Sequence, residues 1–548
     1  MSKVTTVNLD GLVTAHKDDL FKDIDASLSA GASYYQNKLY DLYANNPGPF
    51  LYAFTYNLTN YAGTNPYPRP TENRSESEIN SVYGILNLSY KKYLFLELSG
   101  RNDWSSTLPA ADLSFFYPSA NLSFVFTDAL KMEGIKKWLS YGKVRAAASN
   151  SANGTIPYQT IFNYLQPTLG GFTGGLAVPS TLPALALQPQ KSRSYEVGTD
   201  LGFLDNRINL NFTYYNIYSY NQILPVNIAT SSGADGVFIN TGALRNKGFE
   251  FIINSRIIDN KDFKWDISIN GAHNENKVVS ISPGVDQIPL GSWFGGDGVS
   301  MNAHVGDDYG TIYGYDYQYL KGQKVVNQIT DNNGNVIGSQ YATTPNIVKI
   351  GNATPQLTGG ISNTFQYKNF SLYVLTDFKI GGQIWSADYS SLMGQGEAPE
   401  TVWERDGHGL PYTFPDGTKA NVGVILPGVT PDGNENTAVV NSWWKYAGNY
   451  QSWSNVPLVR SNAIFTNSWG KLRELSLTYR IPQKMVNRTG IFQNLSVSLI
   501  GRDLFYLFTT LPDKLNPEGI NGTGNAQGIQ WAELPGVRSF GLSVRAGF

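Results

Sequence analysis

Catalytic chemistry usually begins with histidine, cysteine or paired carboxylates, and this 548-residue chain has four histidines and no cysteine. His16, His273, His304 and His408 are scattered, without the H-E-x-x-H spacing that puts two ring nitrogens on one metal. No G-x-S-x-G elbow, P-loop or G-x-G-x-x-G occurs. One stretch gathers the right groups: "WERDGHG" brings Glu404, Asp406 and His408 within five residues. It falls in the longest connection of the chain, where a solvated polar turn is the ordinary outcome. The expectation is therefore no enzyme, no metal and no cofactor. Recognition chemistry is better supplied. Trp293, Trp403, Trp443, Trp444 and Trp453, with Tyr446 and Tyr450, all fall in long connections. Aromatic faces combine apolar contact with polar edges, which suits sugar rings or peptide side chains. The same residues would equally serve to pack loops together or to form an interfacial aromatic belt.

The elements that position these groups read as strands. Charged residues are 15% of the chain, against about 25% in an ordinary soluble domain. The 41 basic and 43 acidic residues nearly cancel, which leaves no electrostatic footprint for nucleic acid. No run of 18 apolar residues occurs, which excludes a transmembrane helix but not a transmembrane β-barrel, whose strands are apolar on the lipid side only. In "RINLNFTYYNIYSY", Ile208, Leu210, Phe212 and Tyr214 share one face and Asn209, Asn211, Thr213 and Tyr215 the other. In "FSLYVLTDFKI", Leu372, Val374, Thr376, Phe378 and Ile380 alternate with Ser371, Tyr373, Leu375, Asp377 and Lys379. Asp377 and Lys379 then face an interior that must be wet, because a dry core does not accept unpaired charge.

Connections alternate in length. Short ones lie at Tyr90–Lys92, Leu204–Arg207, Asp259–Asp262 and Tyr367–Phe370. Long ones are expected at about 37–78, 151–190, 224–240, 282–298, 387–461 and 509–531. That asymmetry belongs to outer-membrane barrels, and the count is about 14 to 16 strands, with 282–355 the least regular stretch. The chain ends on "SFGLSVRAGF", where Phe540, Leu542, Val544, Ala546 and Phe548 alternate with small or polar residues. Those residues resemble the C-terminal signal read by outer-membrane assembly machinery, so Phe540, Leu542, Val544 and Phe548 are candidate assembly residues. Zero cysteines rule out disulfides and thiolate metal sites.

The blocks "GRNDWSS", "FFYPSANLSFVFTD", "SYEVGTDLGFLDNRINLNFTYYN", "NTGALRNKGFEF", "IGNATPQLTGGISNTFQYKNFSLYV", "KLRELSLTYRIPQK" and "GRDLFYL", in this order, resemble the SusC/RagA family of TonB-dependent outer-membrane transporters of Bacteroidetes-type bacteria. The likeness runs from about Leu20 to Phe548. It implies an all-β fold, a transmembrane antiparallel β-barrel of 22 strands with long extracellular loops, of which residues 1–548 would be the C-terminal part. "MSKVTTVNLDG" has no signal-peptide run, and no plug domain is recognisable. The missing strands and plug would come from elsewhere. Nutrient import of oligosaccharides or peptides is then the implied function. The implied partners are a SusD-like surface lipoprotein, TonB acting through the plug, and the lipid bilayer. A self-contained outer-membrane porin is the alternative, and an outer-membrane enzyme a distant one. The family often carries an acidic loop ahead of the "IGN-P" block that would ligate calcium. Here the region reads "TDNNGNVIGSQ", whose sole carboxylate is Asp331, so a plain turn is expected.

Overall fold

The computed structural model describes residues 1–44, 51–54, 60, 71–165, 175–292, 298–451, 457–520 and 527–548. Fifteen strands follow one another in hydrogen-bonded order along the chain. They are β1 (Ser2–Phe21), β2 (Ile24–Tyr43), β3 (Thr71–Tyr90), β4 (Leu94–Ser105), β5 (Ser114–Val125), β6 (Leu139–Asn153), β7 (Gln190–Phe203), β8 (Ile208–Tyr220), β9 (Ala243–Asp259), β10 (Phe263–Ser280), β11 (Leu357–Tyr367), β12 (Phe370–Ile380), β13 (Trp469–Arg480), β14 (Asn494–Thr509) and β15 (Ser539–Gly547). The count agrees with the 14 to 16 read from the pattern. Strand lengths of 9 to 20 residues exceed the five or six common in soluble sheets.

The chain divides into two compact units, residues 1–132, 143–198 and 215–245 in the first and 133–142, 199–214 and 246–548 in the second. In the first, register alone sorts the faces. Ala15, Leu28, Leu86, Leu98, Ala120 and Ala148 stand opposite one another across six strands. Asp10, Ser33, Ser81 and Asp103 form a row on the other face. Side chains alternate with a period of two, so one slip would exchange these rows. Lys91 and Lys92, both with positive φ, turn β3 into β4.

The second unit repeats the rule. Trp265, Phe365, Leu372, Leu477, Leu499 and Leu542 make a continuous apolar row over β10 to β15. Ser268, Ser362, Leu375, Glu474, Arg502 and Ser539 make the row on the opposite face, polar but for Leu375. Leu499 and Leu542 are 60% and 68% exposed. Leucines this exposed, in line, call for an apolar solvent.

The short connections fall where the sequence puts them. The long ones need correction in three places. The strands β2 and β3 run on to Tyr43 and from Thr71, because Leu39, Leu42 and Tyr43 extend the pairing into the stretch read as a loop from about 37 to 78. The segment expected as a loop over 224–240 folds into a hairpin of Ile223–Asn227 with Gly236–Asn240. The irregular 282–355 stretch holds a four-stranded sheet (Gln287–Ser292, Ser300–His304, Thr311–Gly314, Val348–Asn352) and two small hairpins. These long connections have a core of their own in which Met301, Ile312, Trp385, Met393, Ala463 and Ile529 are buried together.

Candidate functional site

The polar face of the second unit carries a cluster of charge where β12, β13 and β14 meet. Register sets Asp377 opposite Lys471, and a bulge between Leu472 and Glu474 breaks the alternation at Arg473. A bulge re-aims a side chain, and here Arg473 joins Lys471 on the same carboxylates. Lys471 Nζ lies 3.1 Å from Asp503 and 2.5 Å from Glu518. Arg473 lies 2.6 Å from Asp377, 2.5 Å from Asp503 and 2.5 Å from Glu518. Tyr506 donates to Glu518 at 2.9 Å and to Asn516 at 3.0 Å. Asp377, Lys471, Arg473, Asp503 and Tyr506 sit on strands; Glu518 and Asn516 come from the long connection after β14. Burial alone would push the Glu518 carboxyl up, but the hydrogen bonds from Arg473, Lys471 and Tyr506 outweigh it and hold the group below its usual range. This constellation is a clamp between a wall and a loop, with two cations for three carboxylates.

The long connection after β12 opens with helix α1 (Ala387–Gln395), capped by Ser386, whose hydroxyl accepts from the Tyr389 amide at 3.0 Å. Gly396, at φ +76°, ends it in the left-handed conformation. Ser386 also donates to Gln530 at 2.8 Å, which ties this connection to the one after β14. "WERDGHG" follows as a tight π-type turn over Glu404–His408. Its expected solvated character fails at one residue. Glu404 is buried and accepts from Lys445 and from the Tyr446 hydroxyl, each at 2.6 Å. Against burial, those two donors hold the Glu404 carboxyl low. Burial and the bond to Glu404 push the Tyr446 hydroxyl up. His408 instead stacks on Trp403, ring centroids 4.4 Å apart. Glu404 and His408 are therefore engaged in separate contacts.

The candidate recognition aromatics part company. Trp443 is 42% exposed and lines a cavity of about 730 Å³ with Phe414, Tyr446, Arg405, Asn441 and Gln451. Trp444 meets it edge-on at 4.9 Å but packs inward, over Gly338, where any Cβ would come within 2.3 Å of the indole. Trp403 is 63% exposed beyond its stack with His408. Trp293 and Trp453 lie outside the described residues. The Asp331 carboxylate accepts from the Asn333 and Asn335 amides at 2.9 and 2.8 Å, closing the expected turn on itself. No cluster of three or more acidic, His or Cys groups that would hold a metal occurs among the described residues.

At the C-terminus, Phe540, Leu542 and Val544 oppose Gly501, Leu499 and Val497 on the apolar face. The Phe548 ring packs against Phe492 at 5.1 Å. Sequence reading placed Asp377 and Lys379 on the interior face but missed Lys471, Arg473, Asp503 and Glu518 as a set. The signal was present in "KLRELSLTYR": two cations two residues apart, inside an otherwise alternating strand.

With this geometry in place, comparisons with known proteins converge. The model of the TonB dependent receptor-like β-barrel family matches residues 5–280. TonB-dependent receptor P3 of Formosa agariphila is 26% identical over 518 residues, which is 88% of this chain and 46% of that protein. The TonB-dependent receptor SusC of Bacteroides thetaiotaomicron is 27% identical over 308 residues, covering 53% of this chain and 30% of SusC. A chain in the structure of the RagAB peptide transporter superposes with a TM-score of 0.73 over 99% of this chain and 55% of that one, at 17% identity, a likeness of fold. The chain thus spans about half the length of P3.

Proposed function

We infer that this chain, which belongs to the TonB dependent receptor-like β-barrel family of the outer membrane, serves nutrient import as the SusC-like barrel of a SusCD-type, TonB-dependent complex. The observation that carries this reading is the two-faced register: the Trp265-to-Leu542 row is apolar throughout, while the opposite face holds the paired charges around Lys471 and Arg473. One face suits lipid and the other a wet lumen. In this reading the chain is the C-terminal part of the barrel, and further strands and a plug complete it. TonB acts through that plug, and a SusD-like lipoprotein docks on the long connections. Oligosaccharides or peptides are the solute class, met by aromatics such as Trp443 and by amide and hydroxyl groups around them.

The test is energy-dependent uptake. Cells should take up labelled oligosaccharides or peptides only when both the transporter and TonB are present, and a tagged transporter should carry a surface lipoprotein through purification. Uptake that persists without TonB favours the self-contained porin instead. Phe540, Leu542, Val544 and Phe548 double as the assembly signal in this proposal: a free apolar edge at the chain end is suited to strand addition. Deleting Phe548 should deplete the protein from the outer membrane, and normal levels would reduce the ending to an ordinary barrel strand.

A further inference from the structure

A second cavity, of about 570 Å³, lies against the clamp in the second unit. Met301, Ala353, Pro355 and Ile520 make much of its lining apolar. Lys379 and Trp469, cross-strand partners on β12 and β13, line it too. Among the described residues both are donors without an acceptor. The Trp469 indole nitrogen is buried with no hydrogen-bond partner among the described residues, in a residue only 9% exposed. Lys379 likewise has no hydrogen bond or ion pair among the described residues.

The nearby carboxylates do not explain the pair away. Glu518 lines the same cavity but is taken by Lys471, Arg473 and Tyr506. Asp377 stands two residues before Lys379 on the same face and has its Oδ1 unpartnered, yet the two are not within ion-pair distance. The Trp469 donor is buried and unpaired, an unfavourable state, and the half-buried Lys379 beside it leaves its charge uncommitted to any acceptor among the described residues. Such a pair is retained at low cost only where an acceptor arrives.

We propose that this cavity is a solute-binding site for a carboxylate with an apolar flank, the carboxylate accepting from Lys379 Nζ and Trp469 Nε1 while the flank lies against Met301 and Pro355. The charge-assisted bond from Lys379 supplies strength, and the fixed indole supplies direction. The proposal rests on the import reading, since a wall-lining site has use in a solute path. Two solute sources carry this chemistry: the C-terminal carboxylate of a peptide, and the uronate of an acidic oligosaccharide.

Calorimetry on the intact transporter in detergent separates them. The probes are N-acetyl-Leu-Leu against its C-terminal amide, and digalacturonate against digalactose. One acid form should bind at least tenfold more tightly than its neutral counterpart, and the pair that shows the preference names the source. Lys379→Met should erase the preference, Lys379→Arg should keep it, and Trp469→Phe should weaken binding of the acid form severalfold. Equal binding of acid and neutral forms by the unmodified protein overturns the proposal, a result that needs no variant to fold. A preference that survives Lys379→Met also overturns it. Because binding is read without transport, import without acid preference sinks this inference alone, and acid preference without import sinks the import reading alone.

Discussion

Each unit has a charged network on its polar face, and the two are built differently. In the first unit Arg101 lies 2.7 Å from Asp103 and donates to Ser81 at 2.6 Å and Ser33 at 3.2 Å. Tyr117 completes Asp103 at 2.6 Å. Every member belongs to a strand, so the network fixes which strand residues face each other and nothing else. In the second unit Lys471 and Arg473 reach Glu518, which belongs to a connection. The same chemistry then decides where a loop rests. A network wholly within the wall stabilises register, whereas one with a loop member also governs access along the polar face.

The largest effect should follow Lys471→Met. Lys471 is 7% exposed, and its loss leaves Arg473 as the one cation of the clamp for Asp503, Glu518 and Asp377. Removing one partner of a buried pair costs about 3–5 kcal/mol, and we expect about 3 because both carboxylates retain partial solvent contact. The expected signature is twofold: a lower urea midpoint, and faster protease cleavage between residues 510 and 531. Unchanged cleavage would show that Glu518 does not hold the loop.

Arg101→Leu should cost less, about 1 kcal/mol, since the Arg101 side chain is 36% exposed and solvent screens its pair with Asp103. Here the urea midpoint should fall with no change in cleavage of the long connections. Loop cleavage rising as much as in Lys471→Met would erase the distinction between the two networks.

Much of this architecture was legible in the sequence because a period of two is a local property. Leu372 to Ile380 and Ser371 to Lys379 were assigned to the correct opposite faces by alternation, and the register agrees. The final strand followed for the same reason, Phe540 to Ala546 falling on one face. The connections were less legible, because their order comes from contacts distant in the chain. Trp385 pairs with Ile529 and Ser386 bonds Gln530, each across 144 residues. Glu404 shows the same limit: read locally it is a polar turn residue, and only Lys445 and Tyr446, 41 and 42 residues on, make it a buried anion. The clamp failed to register for a further reason. A bulge at Arg473 shifts the alternation by one, and no simple periodicity announces that.

The smallest effect expected is acidification, which acts on the clamp's hold over the loop through Glu518. Its carboxyl is held below the ordinary 4.5 by Arg473, Lys471 and Tyr506, which outweigh burial. A group with a lowered folded value contributes stability that is fully present above its unfolded value and is lost as pH falls through the folded one. Lowering the pH from 7 to about 5 should therefore leave the 510–531 connection as resistant to protease as before. Release should begin only below 4.5, and it should be partial, because Tyr506 still donates to Asn516 and Asn467 to the Pro517 carbonyl. Glu518→Gln removes the charge at every pH, so in that variant cleavage at pH 7 should already match the acid-treated protein and show no further rise on acidification. A cleavage rate that climbs between pH 7 and 5 in the unmodified protein, or a Glu518→Gln variant that stays resistant at pH 7, would place the loop's attachment elsewhere and leave the two networks alike in function.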